Sequence, residues 1–123
     1  MKYYICYAKE DQKQAALIKD LLPPQSALFV DLSEMPYTSD LLDEMKSKID
    51  ECDMLIALHS YAFKYSSLCR VQLVYASKKV EKICCLPIDS ASLDKSLISE
   101  FKTGFYTNSK SFSESIKQLI SNS

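Results

Sequence analysis

One glycine in 123 residues, Gly104, sets the first limits on this chain. The GxGxxG turn and the Walker A loop use glycines to bring backbone N–H groups against phosphates, and neither pattern can be written here. P-loop ATPases and Rossmann dehydrogenases are excluded. There is no GxSxG elbow, and the single histidine, His59, would have to be the base of any serine or cysteine triad. With no identifiable orienting partner, His59 reads instead as the end of a strand, its ring half-buried and hydrogen-bonded. No apolar run approaches the roughly 18 residues of a spanning helix, and MKYYICY carries no signal-peptide core. A cytoplasmic location with no membrane partner is expected. Fifteen Lys and Arg against sixteen Asp and Glu leave a net charge of -1, so no overall field favours nucleic acid.

Five cysteines are present, none in a CxxC pair. Cys6, Cys84 and Cys85 fall in apolar, strand-like runs, where cysteine behaves as a small buried hydrophobe. A zinc site would have to gather His59 and scattered cysteines without local ligand spacing, so no metal is expected. Cys69 has one basic neighbour, Arg70, that could lower its pKa.

With 47% hydrophobic and 25% charged residues, the composition is that of one globular domain over residues 1–123. Its centre is the unbroken apolar run Met54 to Leu58, suited to a strand buried on both faces. After His59-Ser60 and a Tyr/Phe/Ser-rich turn, Leu68, Val71, Leu73, Val74 and Ala76 predict a helix starting near Ser66. Upstream, Lys2 to Tyr7 reads as a strand, and Lys9-Glu10-Asp11 supplies acids for a helix start. Ala15, Ala16, Ile18, Leu21 and Leu22 form the stripe of that helix, which Pro23-Pro24 ends. Ala27 to Val30 is a second strand. A loop holding Pro36 leads to a helix capped by Thr38 or Ser39, with Leu41, Leu42, Met45 and Ile49 on one face. Downstream, Ile83 to Ile88 is a fourth strand, residues 90–99 are weakly patterned, and Phe101 to Thr107 is an edge strand. Phe112, Ile116, Leu119 and Ile120 form a last helix.

This alternation predicts an α/β flavodoxin-like three-layer fold, a five-stranded parallel sheet of order 2-1-3-4-5 flanked by helices. Its crevice lies at the carboxyl ends of strands one and three. A phospho-acceptor receiver shares that architecture but needs acids where this chain has Cys6-Tyr7 and His59-Ser60.

Taken in order, four segments resemble a Toll/interleukin-1 receptor (TIR) domain over nearly the whole chain. Tyr4-Ile5-Cys6-Tyr7-Ala8 with Lys9-Glu10-Asp11 resembles the family's first box. Phe29-Val30-Asp31 and the loop to Pro36 are similar to its second strand and BB loop. Leu58-His59-Ser60-Tyr61 and Ser66-Ser67-Leu68-Cys69-Arg70-Val71-Gln72-Leu73 resemble its S-x-W-C-x-x-E-L segment, and Leu86-Pro87-Ile88 its fourth-strand Pro-Ile. Three positions depart: Tyr37 replaces the glycine after the BB-loop proline, Leu68 the tryptophan, and Gln72 the glutamate that NAD+-cleaving members use.

The resemblance implies an immune or cell-death signalling domain of the NAD+ glycohydrolase/cyclase type, acting on NAD+ or a related nucleotide as substrate or ligand, with no resident cofactor. Gln72 occupies the catalytic position. Tyr7, Ala8, Lys9, Asp11, Asp31, Ser60, Tyr61, Leu68 and Cys69 are the implied pocket residues. Asp11 reads equally as a helix-start acid. Loss of nicotinamide leaves an oxocarbenium-like ribose, which a carboxylate stabilises. A glutamine, whether natural or engineered, keeps the shape and lacks the charge, so cleavage is expected to be weak or absent. Against that stands a plainer reading of Gln72 from its helix alone, as an ordinary polar residue at the rim of an apolar face. Glu44, Glu51 and Glu81 read as surface charges.

The second reading is a non-catalytic interaction module. Here Met35, Pro36 and Tyr37 form the apolar tip of the BB loop through which TIR domains assemble as homo-oligomers or filaments, many joined to a sensor domain. A third is a nucleoside-processing transferase on a related sheet.

Overall fold

A computed structural model describes residues 1–28, 30, 39–80, 82–87 and 104–106. In chain order the elements are β1 (Tyr3–Cys6), a 3-10 turn (Lys9–Asp11), α1 (Gln12–Leu21), β2 (Ala27–Leu28), α2 (Ser39–Glu51) and β3 (Met54–His59). Then come α3 (Tyr61–Lys64), α4 (Ser67–Lys79), β4 (Lys82–Pro87) and β5 (Gly104–Tyr106).

The sheet is parallel and ordered β2-β1-β3-β4-β5, as the alternation predicts. Every residue of β3 is buried, because this strand has paired neighbours on both edges and helices over both faces. Right-handed crossovers place α1 on one face and α2 and α4 on the other. Strand β1 is tied at its start by Tyr3 N–H to Ser26 O (2.8 Å) and by Lys2 N–H to Asp53 Oδ2 (2.7 Å). The first bond joins β1 to the start of β2 and the second joins it to β3, in a register that sets Cys6 level with Ala57, two residues before the end of β3.

The turn after α1 runs through Pro23-Pro24 and puts Gln25 at φ 64°, a left-handed conformation for which glycine is the usual choice. Ser26 closes that turn, its N–H and Oγ–H both donating to Pro23 O at 3.1 and 2.6 Å.

Several boundaries and faces differ from the sequence reading. Strand β2 is described over Ala27–Leu28, Phe29 lies outside the described residues, and Val30 is buried. In α1, Ala15, Ile18 and the following Leu22 are buried, whereas Ala16 and Leu21 are exposed. The turn before the fourth helix is itself helical (α3), because Ser60 caps it by accepting from Phe63 N–H at 3.0 Å. The inward face of α4 is Cys69, Gln72, Leu73 and Ala76, with Val71 and Val74 turned outward at 44% and 38% exposure. His59 is fully buried rather than half-buried, its ring tilted against Phe63. Residues 90–99 and the helix expected around residues 112–120 lie outside the described residues. Among the described residues, no helix is long and apolar enough to cross a membrane.

Candidate functional site

Strands β1 and β3 are adjacent, and the chain leaves them in opposite lateral directions, to β2 and to β4. That divergence opens a crevice at their carboxyl ends. An open cleft of about 720 Å³ lies there. Lys9 and Glu10 line it from the 3-10 turn after β1, and Tyr61, Ala62 and Tyr65 from α3 and its end. Ser66, Ser67 and Leu68 line it from the start of α4. A second hollow of about 450 Å³ shares Tyr65, Ser66 and Ser67 but runs along the outer side of α4 to Val74, with no lining residue from β1's end.

Beneath the cleft's Leu68 wall lies Gln72, 3% exposed. Its Nε2 donates to Leu68 O at 3.2 Å, one turn back along α4, and its Oε1 accepts from Tyr4 Oη at 2.6 Å. Turning the amide over would set Oε1 against the Leu68 carbonyl, two acceptors face to face, so that carbonyl fixes its orientation and leaves Oε1 to accept from the tyrosine hydroxyl. The surroundings thus fit a group that accepts on one side and donates on the other. Burial pushes the Tyr4 phenol well above its usual pKa, keeping it a hydrogen-bond donor.

Around that pair the implied pocket residues separate into three sets. Lys9, Tyr61 and Leu68 line the cleft. Tyr7, Ala8, Ser60 and Cys69 are buried beside it and are not among the residues lining it. Tyr7 Oη donates to Val30 O at 2.6 Å, tying the end of β1 to the entrance of the following loop. Ser60 Oγ donates to Asp11 Oδ2, joining the end of β3 to the 3-10 turn. Asp11 precedes α1 without capping it through its side chain, so that carboxylate secures the crevice and does not close the helix end. Asp31, Met35, Pro36 and Tyr37 lie outside the described residues.

Glu10 also lines the cleft, as do Ala62, Tyr65, Ser66 and Ser67 from the stretch Ser60 to Gln72 after the central strand, though none is among the pocket residues the resemblance implies. Glu10 brings a carboxylate to its rim. Of the surface acids, Glu44 pairs with Lys48 at 3.6 Å, both half-buried, and Glu51 with Lys2 at 4.0 Å, both exposed. Among the described residues no group of three His, Cys, Asp or Glu side chains could hold a metal ion.

Comparison with curated proteins finds no match. Among solved structures, the chain is similar to the Clostridium botulinum CMP N-glycosidase BcmB, with a TM-score of 0.71 and 19% identity over 100% of both chains. That likeness is one of fold. A family model described as "TIR domain" matches residues 4–120, so the order of segments, the sheet topology and the family model agree: the chain belongs to the TIR domain family.

Proposed function

We propose that this TIR domain binds NAD+ or a related nucleotide in the cleft at the ends of β1 and β3 and cleaves its N-glycosidic bond weakly or not at all. The observation that carries the reading is Gln72, a neutral side chain whose amide lies one helical turn below the cleft wall, bonded to Tyr4 and Leu68. In the family's NAD+-cleaving members this position holds a carboxylate. An amide leaves the oxocarbenium-like ribose without its counter-charge, a deficit of roughly 3 to 4 kcal/mol in the barrier. BcmB is named a CMP N-glycosidase, so a sheet of this fold can host cleavage of a base–ribose bond. A role in immune or cell-death signalling, in the cytoplasm, belongs to the same reading.

Tyr61, 54% exposed, and Tyr65 offer ring faces at the cleft on which a base can stack. Tyr61→Ala is expected to weaken NAD+ binding, measured by isothermal titration, by about 1 to 3 kcal/mol, the usual worth of a base–aromatic stack. Unchanged affinity in the folded variant would remove the cleft from the account. A parallel titration with CMP reports whether the site prefers a dinucleotide or a mononucleotide.

One observation favours the interaction-module reading: both polar ends of the Gln72 side chain already have partners within the protein. On that reading assembly with other TIR domains is the activity, and Pro36 and Tyr37 carry it. Changing both to aspartate should abolish self-association in sedimentation. Unaltered sedimentation of the double variant counts against it.

A further inference from the structure

We infer that the ligand of the cleft is two nucleosides joined through phosphates, and that the hollow on the outer side of α4 holds the phosphates and the second nucleoside. This rests on the cleft being a nucleotide site. Lys64 and Arg70 set the preference for a phosphate-bearing ligand.

The cleft and the outer hollow share a wall. Tyr65, Ser66 and Ser67 line both, so a ligand seated in the cleft enters the second hollow by passing over these three residues. At about 720 and 450 Å³, each hollow is of the size that small ligands occupy. Along α4 the outer one runs from Ser67 to Val74, a rise of about 10 Å, which is long enough to seat a nucleoside.

Charge separates the two. Lys9 and Glu10 both line the cleft, so the cation there is offset by a carboxylate that repels phosphate. The outer hollow is lined by Lys64 and Arg70 and, among the described residues, by no acid. Anionic phosphates are therefore favoured on the outer side of the shared wall, and the uncharged ribose and its base in the cleft. The Arg70 guanidinium presents a planar fork of donors matched to phosphate oxygens, and the Ser67 hydroxyl on the wall is a further donor.

The apolar part of the hollow suits a base. Ser67, Arg70, Val71 and Val74 are spaced as one face of α4, opposite the buried Cys69, Gln72, Leu73 and Ala76, and all four are exposed. Tyr65 at the shared wall is 78% exposed, and Lys64 Nζ lies 5.9 Å from the centroid of its ring. A cation and an aromatic surface thus stand side by side. A base laid against Tyr65 and the two valines covers apolar surface that otherwise meets water, and leaves its phosphate beside Lys64.

Isothermal titration of the full chain with NAD+ and with nicotinamide riboside, which lacks the phosphates and the adenosine, tests the subsite. The native chain should bind NAD+ more tightly. In the Lys64→Ala, Arg70→Ala double variant the ratio of the two affinities should fall about tenfold, the usual worth of a hydrogen bond to a charged group. Val74→Asp, which sets a carboxylate in the hollow at an exposed site, should lower the ratio as well, so the test stands if the double variant does not fold. An unchanged ratio in the folded variants, or a larger fall in Lys9→Ala, overturns the proposal by leaving the phosphates in the cleft. So does a Val74→Asp chain that sediments as a smaller species and keeps the native ratio, since the outer face is then a surface between copies of the chain. If neither ligand binds the native chain, the nucleotide reading of the cleft fails and the subsite with it. If both bind and no change in the outer hollow alters their ratio, the subsite alone fails.

Discussion

Replacing Gln72 by glutamate is expected to raise nicotinamide release from NAD+ by about a hundred- to a thousandfold over the native chain, the usual worth of one well-placed electrostatic group. The gain depends on ionisation. At residue 72 a carboxyl is buried and faces both the Tyr4 hydroxyl, which donates, and the Leu68 carbonyl, which accepts. Burial and the facing carbonyl raise its pKa above the ordinary glutamate value. Only the ionised form supplies counter-charge to the ribose, so the rate should climb with pH and level off once that carboxyl is deprotonated. A folded, assembled variant that releases no nicotinamide at any pH would remove the catalytic reading of this position.

In urea unfolding the same substitution should cost on the order of 3 kcal/mol at pH 8 and little at pH 4, since a buried carboxylate facing a carbonyl loses a hydrogen bond and gains a charge. Protonated glutamate reproduces the amide: its hydroxyl donates to Leu68 O and its carbonyl accepts from Tyr4. Below about 4.3, the unfolded pKa, both states hold the proton and the variant stays close to native stability. Above it the unfolded chain releases the proton while the folded chain retains it, so stability falls as pH rises, until the folded carboxyl ionises too. Catalysis and stability should thus change in opposite directions over the same pH range. An equal loss at pH 4 and pH 8 would mean that residue 72 is not held between a donor and an acceptor.

The strand order was legible because it rests on features that a sequence states openly. Met54 to Leu58 is apolar without interruption, and turn or helix signals separate each strand-like run from the next. The inward face of α4 was not legible for a physical reason. Periodicity counts apolar side chains, and Val71 and Val74 advertise a face that the fold turns outward. Gln72 is admitted to the interior by Tyr4, 68 positions away, and no local pattern reports such a partner. His59 is buried for a related reason, since it completes the central strand beside Pro87 of β4. Lys9 and Glu10 look like the opening of α1, yet a separate 3-10 turn carries them and they line the cleft. The predicted strand order placed the crevice at the ends of strands one and three, and the resemblance to TIR domains named pocket residues there. The division of their side chains into lining and buried sets followed from packing.

A single sample of the native chain, titrated with NAD+ at neutral pH and sampled for free nicotinamide, tests the account most directly. Saturable binding with nicotinamide at the level of the protein-free control is the predicted result. Absence of binding, or turnover matching that of the Gln72→Glu variant, would contradict it.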